Sequence, residues 1–509
     1  MRERLMGLEV EYGCLVRDPS LGRPEQVVEL LKDYAFDDLR LGLVDLHSRD
    51  FAFEPARAGG FLTNGGRLYI DAVGDHLEYA TPEVTRLNDV VAHDRAGQRT
   101  ILSLVDGALA RDAVSFHNNS VDHFGGHTFG CHENYAVSIP SDSLRVALTS
   151  VVSFLVTRLI YAGAGRVGGH RLTRDSPRSL ARHDYSALDT IWVGDVYGVE
   201  ADPSVRYQLS QRADHIRHAM SGRVRFNRAI INPKSDTFCD LTGEWRLHVL
   251  FGESNMSQYA TALKMGTTCL VLSLAELGLL SADGWLARPI ATLRRVSRDE
   301  SHRWVVSLAD GSSIGAVDQQ RLYLELAQRH LAGSGADADW ALREWSQVLD
   351  DLEADPRRLA DRLDWVAKEE LLRLYVDEEG ISWQDEALQS LDLEYHNIDP
   401  LSGLFYSLEE LGQVRQLVSD DRIGSAMRHA PEDTRAHARA RAVQAILERG
   451  HRNYVIDWDS IHILGKGDVV RLDLDTPEGP PPEVIDRFCR GLDRAGSSDA
   501  PDDSVFWIA

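Results

Sequence analysis

The sequence predicts an α+β fold, and three features carry that expectation. Short apolar-polar alternations at residues 7–13, 67–71 and 246–253 read as strands with one buried face. Between them, residues 88–111 and 144–161 carry apolar positions at helical spacing. From about 316 to 375 the chain is charged and helical, which reads as a separate helical layer.

Taken in order, GLEVEYG at 7–13 puts Glu9 and Glu11 on one strand face and Leu8, Val10 and Tyr12 on the other, because successive side chains alternate. Residues 24–34 read as a helix. The stretch from about Ser48 to Gly66 is glycine-bearing and irregular, as an active-site loop would be. Arg67, Tyr69 and Asp71 then share the face of a second strand, and Glu78 follows in HLEYAT. An amphipathic helix is expected over 88–111, opening at an Asn88-Asp89 cap, with Val90, Val91, Ile101, Leu102, Val105 and Leu109 inward. FGGHTFGCHENYAVSI runs from a glycine-rich loop into an apolar strand, and 144–161 reads as a buried helix with Arg158 and Arg166 close to its end. RLHVLFGE at 246–253 alternates Arg246 and His248 against Leu247, Val249 and Phe251, and Ser254-Asn255 is the expected cap of the next helix. Its apolar part, Met265 to Leu280, is interrupted by Thr267, Thr268, Ser273 and Glu276 and falls short of the roughly 20 residues of a membrane span. Within 316–375, AGSGADAD breaks the helical pattern and Trp340, Leu342, Trp345, Val348 and Leu349 mark a buried face. A helix over 434–449, a strand at NYVIDW, the turn PEGPPP and an acidic tail predict a small C-terminal domain with a disordered end. The expected division is therefore 1–429 and 430–509.

The totals narrow the function. At 509 residues the chain has room for a large domain and a smaller one. Its 55 basic and 79 acidic residues give a net charge of −24, which repels nucleic acid and anionic membranes. Neither partner is expected. Cys14, Cys131, Cys239, Cys269 and Cys489 are scattered and odd in number, without a CxxC pair, so a disulfide framework is not expected. No apolar signal core lies in MRERLMGLEVEYG, and the cytoplasm is the expected compartment.

Several motifs are open to more than one reading. An ExE pair on a strand is a cation platform or a solvated face, and Asp71 is part of an acidic site or a surface partner of Arg67. The acids, the guanidinium and the phenol together favour a magnesium- and nucleotide-dependent enzyme, since carboxylate oxygens suit magnesium and arginine suits phosphate. His117, His123, His127, Cys131 and His132 invite zinc, but their spacing matches no zinc motif, and Glu133 and Asn134 in HENY are alternative contacts for nucleotide or magnesium. GAGRVGG at 163–169 follows a helical segment and is a chance match to a dinucleotide fingerprint. Asn118-Asn119-Ser120 is a glycosylation sequon on paper only. Trp458 in VIDW is core packing or an adenine-stacking ring.

GLEVEYG, NGGRLYID, HLEYATPE, FGCHENY, LSQRADHI, AIIN, RLHVLFGESNMSQ, DWVAKEELLRLY, LDLEYHNI and VIDW, in this order, resemble the family that contains the Pup ligase and the depupylase. The resemblance implies a glutamine synthetase-like main domain, a curved antiparallel sheet backed by helices, with a small C-terminal domain. It implies ATP and Mg2+ as cofactors, and as partners the small tag protein Pup and lysine-bearing protein substrates. In such a ligase the side-chain carboxylate of the C-terminal glutamate of Pup is phosphorylated and then joined to lysine, marking proteins for the proteasome. Carried over motif by motif, Glu9, Tyr69 and Glu78 would hold magnesium, Arg67, Thr81 and Trp458 would contact ATP, and Asp71 would be the proton acceptor.

HDRAG at 93–97, GCHENY, ESNMS and a short Cys14 to Asn64 segment resemble the ligase branch, whereas GLEVEYG leans toward the depupylase. The chain departs from the family pattern at His117, at PKSDTFCD (233–240) and by one extra residue between Asp71 and Glu78. The alternatives are a depupylase or deamidase of Pup, and a divergent paralogue that hydrolyses ATP or only binds.

Overall fold

The computed structural model describes residues 4–48, 55–71, 76–122, 127–172, 199–221, 228–234, 245–464 and 469–495. Among these, ten strands form the main sheet: β1 (Met6–Val16), β2 (Gly42–Val44), β3 (Gly59–Leu62), β4 (Arg67–Asp71), β5 (His76–Ala80), β6 (Val114–His117), β7 (Cys131–Val137), β8 (His218–Met220), β9 (Ala229–Lys234) and β10 (Trp245–Val249). Across the sheet they run β8-β9-β10-β7-β1-β5-β4-β3-β2, and β6 pairs with the second half of β1. Every pair is antiparallel except β8 with β9. The expected α+β class, an antiparallel sheet backed by helices, is what forms.

Alternation along the strands sorts the sheet into two faces. Leu8, Val10 and Tyr12 on β1, Leu68 and Ile70 on β4, Leu77 and Tyr79 on β5, Cys131 and Tyr135 on β7, and Leu247 and Val249 on β10 are buried in the core. The intervening Glu9, Glu11, Arg67, Tyr69, Asp71, Glu78, His132, Asn134, Arg246 and His248 therefore line the opposite face.

Helices α1 (Pro24–Asp33), α2 (Leu87–Ala108), α3 (Leu144–Ala162) and α4 (Gln258–Glu276) contribute to the apolar cores behind the sheet. Helix α4 is buried on all sides because it lies inside the core, with Leu263, Leu270, Leu272 and Leu274 fully buried. Each such side chain contributes about 1.5–3 kcal/mol of burial. Helix α3 is long and apolar enough to cross a membrane, but it is a buried core helix packed on α4 and on helix Ala316–Leu331. The helical layer consists of Ala316–Leu331, Ala336–Ala354 and Asp364–Glu379, with Trp345, Val348 and Leu349 inward as expected.

Two local expectations, both helix caps, are corrected. The cap of α4 is Ser257, whose Oγ accepts from the Ala260 N–H, while Asn255 instead donates to Asp364. Helix α2 starts at Leu87, so Asn88 and Asp89 lie inside it, and the Leu87 N–H is satisfied by Asp337. Arg158 lies close to the end of α3, as expected, and makes a buried two-point pair with Glu133 at 2.7 and 2.8 Å.

At the β2 and β3 end of the sheet, helices Arg435–Arg449 and Pro482–Ala495 pack with strands Tyr454–Ile456, Ser460–Leu464 and Val469–Asp473. Their core, which includes Ile456, Ile461, Leu472, Ile485 and Phe488, also takes in Leu43 of β2 and Phe61 of β3. The C-terminal unit is thus seated against β2 and β3. The tail beyond residue 495 lies outside the described residues.

Candidate active site

Strand register assembles the acids. Glu11 on β1 stands opposite Glu78 on β5, and Tyr69 on β4 faces Glu78 from the other side. Asp71 ends β4 opposite His76. Carboxylate oxygens of Glu11, Asp71 and Glu78 lie within 4.8 Å of one another. Glu11 and Glu78 are buried and Asp71 is half-buried, so Asp71 is the member open to an incoming group. Burial, then the neighbouring charges of Glu11, Glu9 and Asp71, push the Glu78 carboxyl well above its usual range, against a hydrogen bond from Tyr69. Burial pushes Glu11 the same way, but His76, His132 and the Gly130 backbone outweigh it and bring Glu11 to about 2.

Glu9 does not join this group. It stands with His132 and His248, three donor atoms again within 4.8 Å. Burial is outweighed by the His132 hydrogen bond and by the charges of His248 and Arg246, which hold Glu9 below the ordinary carboxylate range. Between the two groups Gly130 has no room for a side chain: a Cβ there would lie 2.2 Å from Glu11 Oε1 and 2.7 Å from His132 Nε2.

Arg67 is buried and ion-paired with Asp45 at 2.7 Å. Its guanidinium lies 4.2 Å from the Tyr69 ring and 5.9 Å from that of Phe61. The Phe61 ring in turn meets Trp458 edge-on at 5.0 Å, and Arg439 lies 4.7 Å over Trp458. Rings and guanidiniums from β3, β4 and the C-terminal unit therefore form one continuous chain of contacts. Thr81 is buried, and its hydroxyl oxygen accepts the Leu8 N–H at 3.1 Å, so it also ties β5 to β1.

Arg212 and Arg228 were not singled out from the sequence, although Arg212 lies in the LSQRADHI motif. Both guanidiniums feel the charge of Glu11, and Arg228 also feels Asp71. Burial and the like charge of Arg212 lower Arg228 to about 10. Arg212 donates to the Leu250 carbonyl at 2.6 Å, and its buried Nε–H has no partner among the described residues. An orphaned guanidinium proton beside a carboxylate cradle suits an anionic ligand.

Among the described residues, the loop-cysteine-histidine zinc cluster does not assemble. His117 turns toward Glu394, Cys131 faces the core and His127 joins neither metal-competent group. Of the described members only His132 reaches the polar face, and His123 lies outside the described residues. In HENY, Glu133 is buried against Arg158 and touches no open site, whereas Asn134 donates to Glu9 at 3.1 Å. The strand parity that hides Glu133 is the one that presents His132 and Asn134. PKSDTFCD lies mostly outside the described residues.

The Pup-ligase protein family model matches residues 4–462. A Pup--protein ligase from Kocuria rhizophila is 36% identical over 481 residues, covering 91% of this chain and 93% of that protein. A depupylase from Acidothermus cellulolyticus is 33% identical over 491 residues, covering 90% of each. Among solved structures, the complex between the prokaryotic ubiquitin-like protein Pup and its ligase PafA is similar at TM-score 0.77 and 28% identity, covering 97% of this chain and 92% of that one. The ligase PafA in complex with ADP is similar at TM-score 0.72 and 29% identity, covering 86% of this chain and 91% of that one. With the acidic cradle, the run of rings and guanidiniums beside it and a family match over nearly its whole length, the chain belongs to the Pup-ligase family.

Proposed function

We propose that the chain is an ATP- and magnesium-dependent ligase that joins the side-chain carboxylate of the C-terminal glutamate of Pup to substrate lysines, marking them for the proteasome. The observation that carries the reading is the group Glu11, Asp71 and Glu78, with the Glu78 carboxyl pushed up by burial and then by its charged neighbours. The buried pair Glu11 and Glu78, hard oxygen donors under mutual repulsion, fits a divalent cation such as magnesium, with half-buried Asp71 beside it for the acceptor amine. When bound, magnesium supplies charge neutralisation at the nucleotide phosphates.

The chain's residues divide the remaining work. Arg67, fixed by Asp45, and Trp458, fixed by Arg439, hold the nucleotide, with Thr81 at its edge. Tyr69 orients Glu78 through its hydrogen bond, and Glu9 adds negative charge nearby. Arg212 and Arg228 offset charge on the phosphoryl group as it passes from ATP to the Pup carboxylate, releasing ADP. A lysine ammonium, with a reference pKa of about 10.4, becomes a nucleophile only after losing its proton. Asp71, half-buried at the end of β4, takes that proton, the amine attacks the acyl carbon and phosphate leaves.

The depupylase relative motivates the second reading, in which water replaces lysine at the same carbonyl and free Pup is released. A coupled assay separates them. The ligase reading expects ADP release that requires both Pup ending in glutamate and an acceptor amine; ADP release indifferent to the amine would refute it.

A further inference from the structure

The reaction above uses Arg212 of LSQRADHI and leaves Glu253 in RLHVLFGE, Lys368 in DWVAKEELLRLY and His396 in LDLEYHNI without a task. The fold brings all three to the turn that carries Arg212. A serine hydroxyl has one proton and two lone pairs. That of Ser210 donates to Glu253 Oε1 and accepts the N–H of Arg212 at 3.0 Å and of Ala213 at 2.9 Å. The proton is committed to the carboxylate, so both lone pairs are left for the peptide units on either side of the Arg212 Cα. Glu253 Oε2 accepts the Gln211 N–H at 3.1 Å and that of Ala164 at 3.4 Å. Burial pushes the Glu253 carboxyl up, and the hydrogen bonds from Ser210, Gln211 and Ala164 and the charge of Arg212 work against it.

Gln211 holds the same turn from the other side. Its Oε1 accepts the Ser120 N–H, and its Nε2 donates to the Gly165 carbonyl at 3.1 Å and to His396 Nε2 at 2.8 Å. Lys368 donates to that histidine nitrogen at 2.7 Å and to Asp392 at 2.6 Å. An amide NH2 and an ammonium only donate, so His396 is neutral and carries its proton on Nδ1, 2.8 Å from Asn118 Oδ1. The Arg212 side chain itself donates to the Leu250 carbonyl, while its Nε–H has no partner among the described residues. The direction of its guanidinium, which feels the charge of Glu11, is therefore set largely by the backbone it stands on.

We propose that Glu253 is a positioning residue for phosphoryl transfer: through Ser210 it fixes the two peptide units that aim Arg212 at the acidic cradle. Gln211, His396 and Lys368 anchor the far side of the turn. The kinetic part of this assignment rests on the ligase reading; the positional part does not.

The test uses full-length Glu253→Gln, which offers one amide oxygen to the donors Ser210, Gln211 and Ala164, and Ser210→Ala, which removes only the hydroxyl. With Pup and an acceptor amine, kcat for ADP release is expected to fall about 10- to 10²-fold in each. ADP affinity by calorimetry is expected to stay within about twofold. In an Arg212→Ala background the same substitutions are expected to change kcat by less than about twofold, because their effect runs through that guanidinium. Equal losses in both backgrounds are what a merely structural role produces, and they would overturn the proposal. Crystal structures of the variants read position without turnover. An Arg212 guanidinium displaced by about 1 Å or more is expected. A guanidinium in its wild-type place would also overturn the proposal, and Ser210→Ala supplies both readouts should Glu253→Gln fail to fold. Wild-type protein that releases no ADP would count against the ligase reading alone, since the crystallographic comparison still decides whether Glu253 sets Arg212.

Discussion

Glu83 joins the sheet to the C-terminal unit, and removing its charge has a calculable cost. Its Oε1 accepts from Arg435 Nε at 2.7 Å and from Arg439 Nη1 at 3.3 Å, and its Oε2 meets Arg439 Nη2. Burial raises the Glu83 carboxyl, but Arg439 and Arg435 outweigh it and bring it from 4.5 to about 2. That difference corresponds to about 3 kcal/mol of folding free energy. The folded value is the depressed one, so the contribution is fully present above 4.5 and is lost as pH falls toward 2. Glu83→Gln leaves the buried Arg439 without its anion, and breaking such a pair costs about 3–5 kcal/mol. Urea unfolding at neutral pH is expected to show that loss. The gap to wild type is expected to narrow as pH falls from 4.5 toward 2, as first the unfolded-state carboxyl and then the folded one protonates. Because Arg439 also donates to the Trp458 carbonyl at 3.1 Å and lies over its ring, nucleotide affinity is expected to fall as well. A loss under about 1 kcal/mol, or a gap unchanged down to low pH, would refute the reasoning.

Three further outcomes follow from the same geometry. Asp71→Asn is expected to slow conjugation about 10²- to 10⁴-fold while ADP affinity, read by calorimetry, changes little, because the lysine loses its proton acceptor. Trp458→Ala is expected to weaken ADP about tenfold in the same measurement, through loss of a ring that packs on Phe61 and Arg439. Gly130→Ala is expected to displace Glu11 and His132 from their shared space and to weaken divalent-cation binding about tenfold or more, with only a small change in melting temperature.

The polar face was legible because period-two alternation is a local property. GLEVEYG, RLYID and RLHVLFGE each declared which side chains share a side, and Glu9, Glu11, Arg67, Tyr69, Asp71, Arg246 and His248 lie there. What alternation does not encode is which strands become neighbours. That Glu11 sits opposite Glu78, and that Glu9 meets His132 and His248, depends on β1 pairing with β5 on one side and β7 on the other. For the same reason the histidine-rich loop looked like one cluster, though parity sends Cys131 and Glu133 inward and His132 outward. Helix caps were misplaced by two or three residues because tertiary partners satisfy the free ends: Asp337 serves Leu87, and Asp364 serves Met256 and Ser257. Arg212 and Arg228 were missed because an arginine in a loop carries no periodic signal; its burial beside the acids is a property of the folded chain alone.

The central claim is that this cradle uses ATP to make an amide bond, and intact-mass spectrometry tests it most directly. Purified protein is incubated with ATP, Mg2+, Pup ending in glutamate and a lysine-bearing acceptor. The account expects a product with the summed mass of Pup and acceptor less one water, absent without ATP and absent when the acceptor amines are blocked. Acceptor of unchanged mass alongside ATP turnover, or a preformed conjugate cleaved to free Pup with none made, would contradict it.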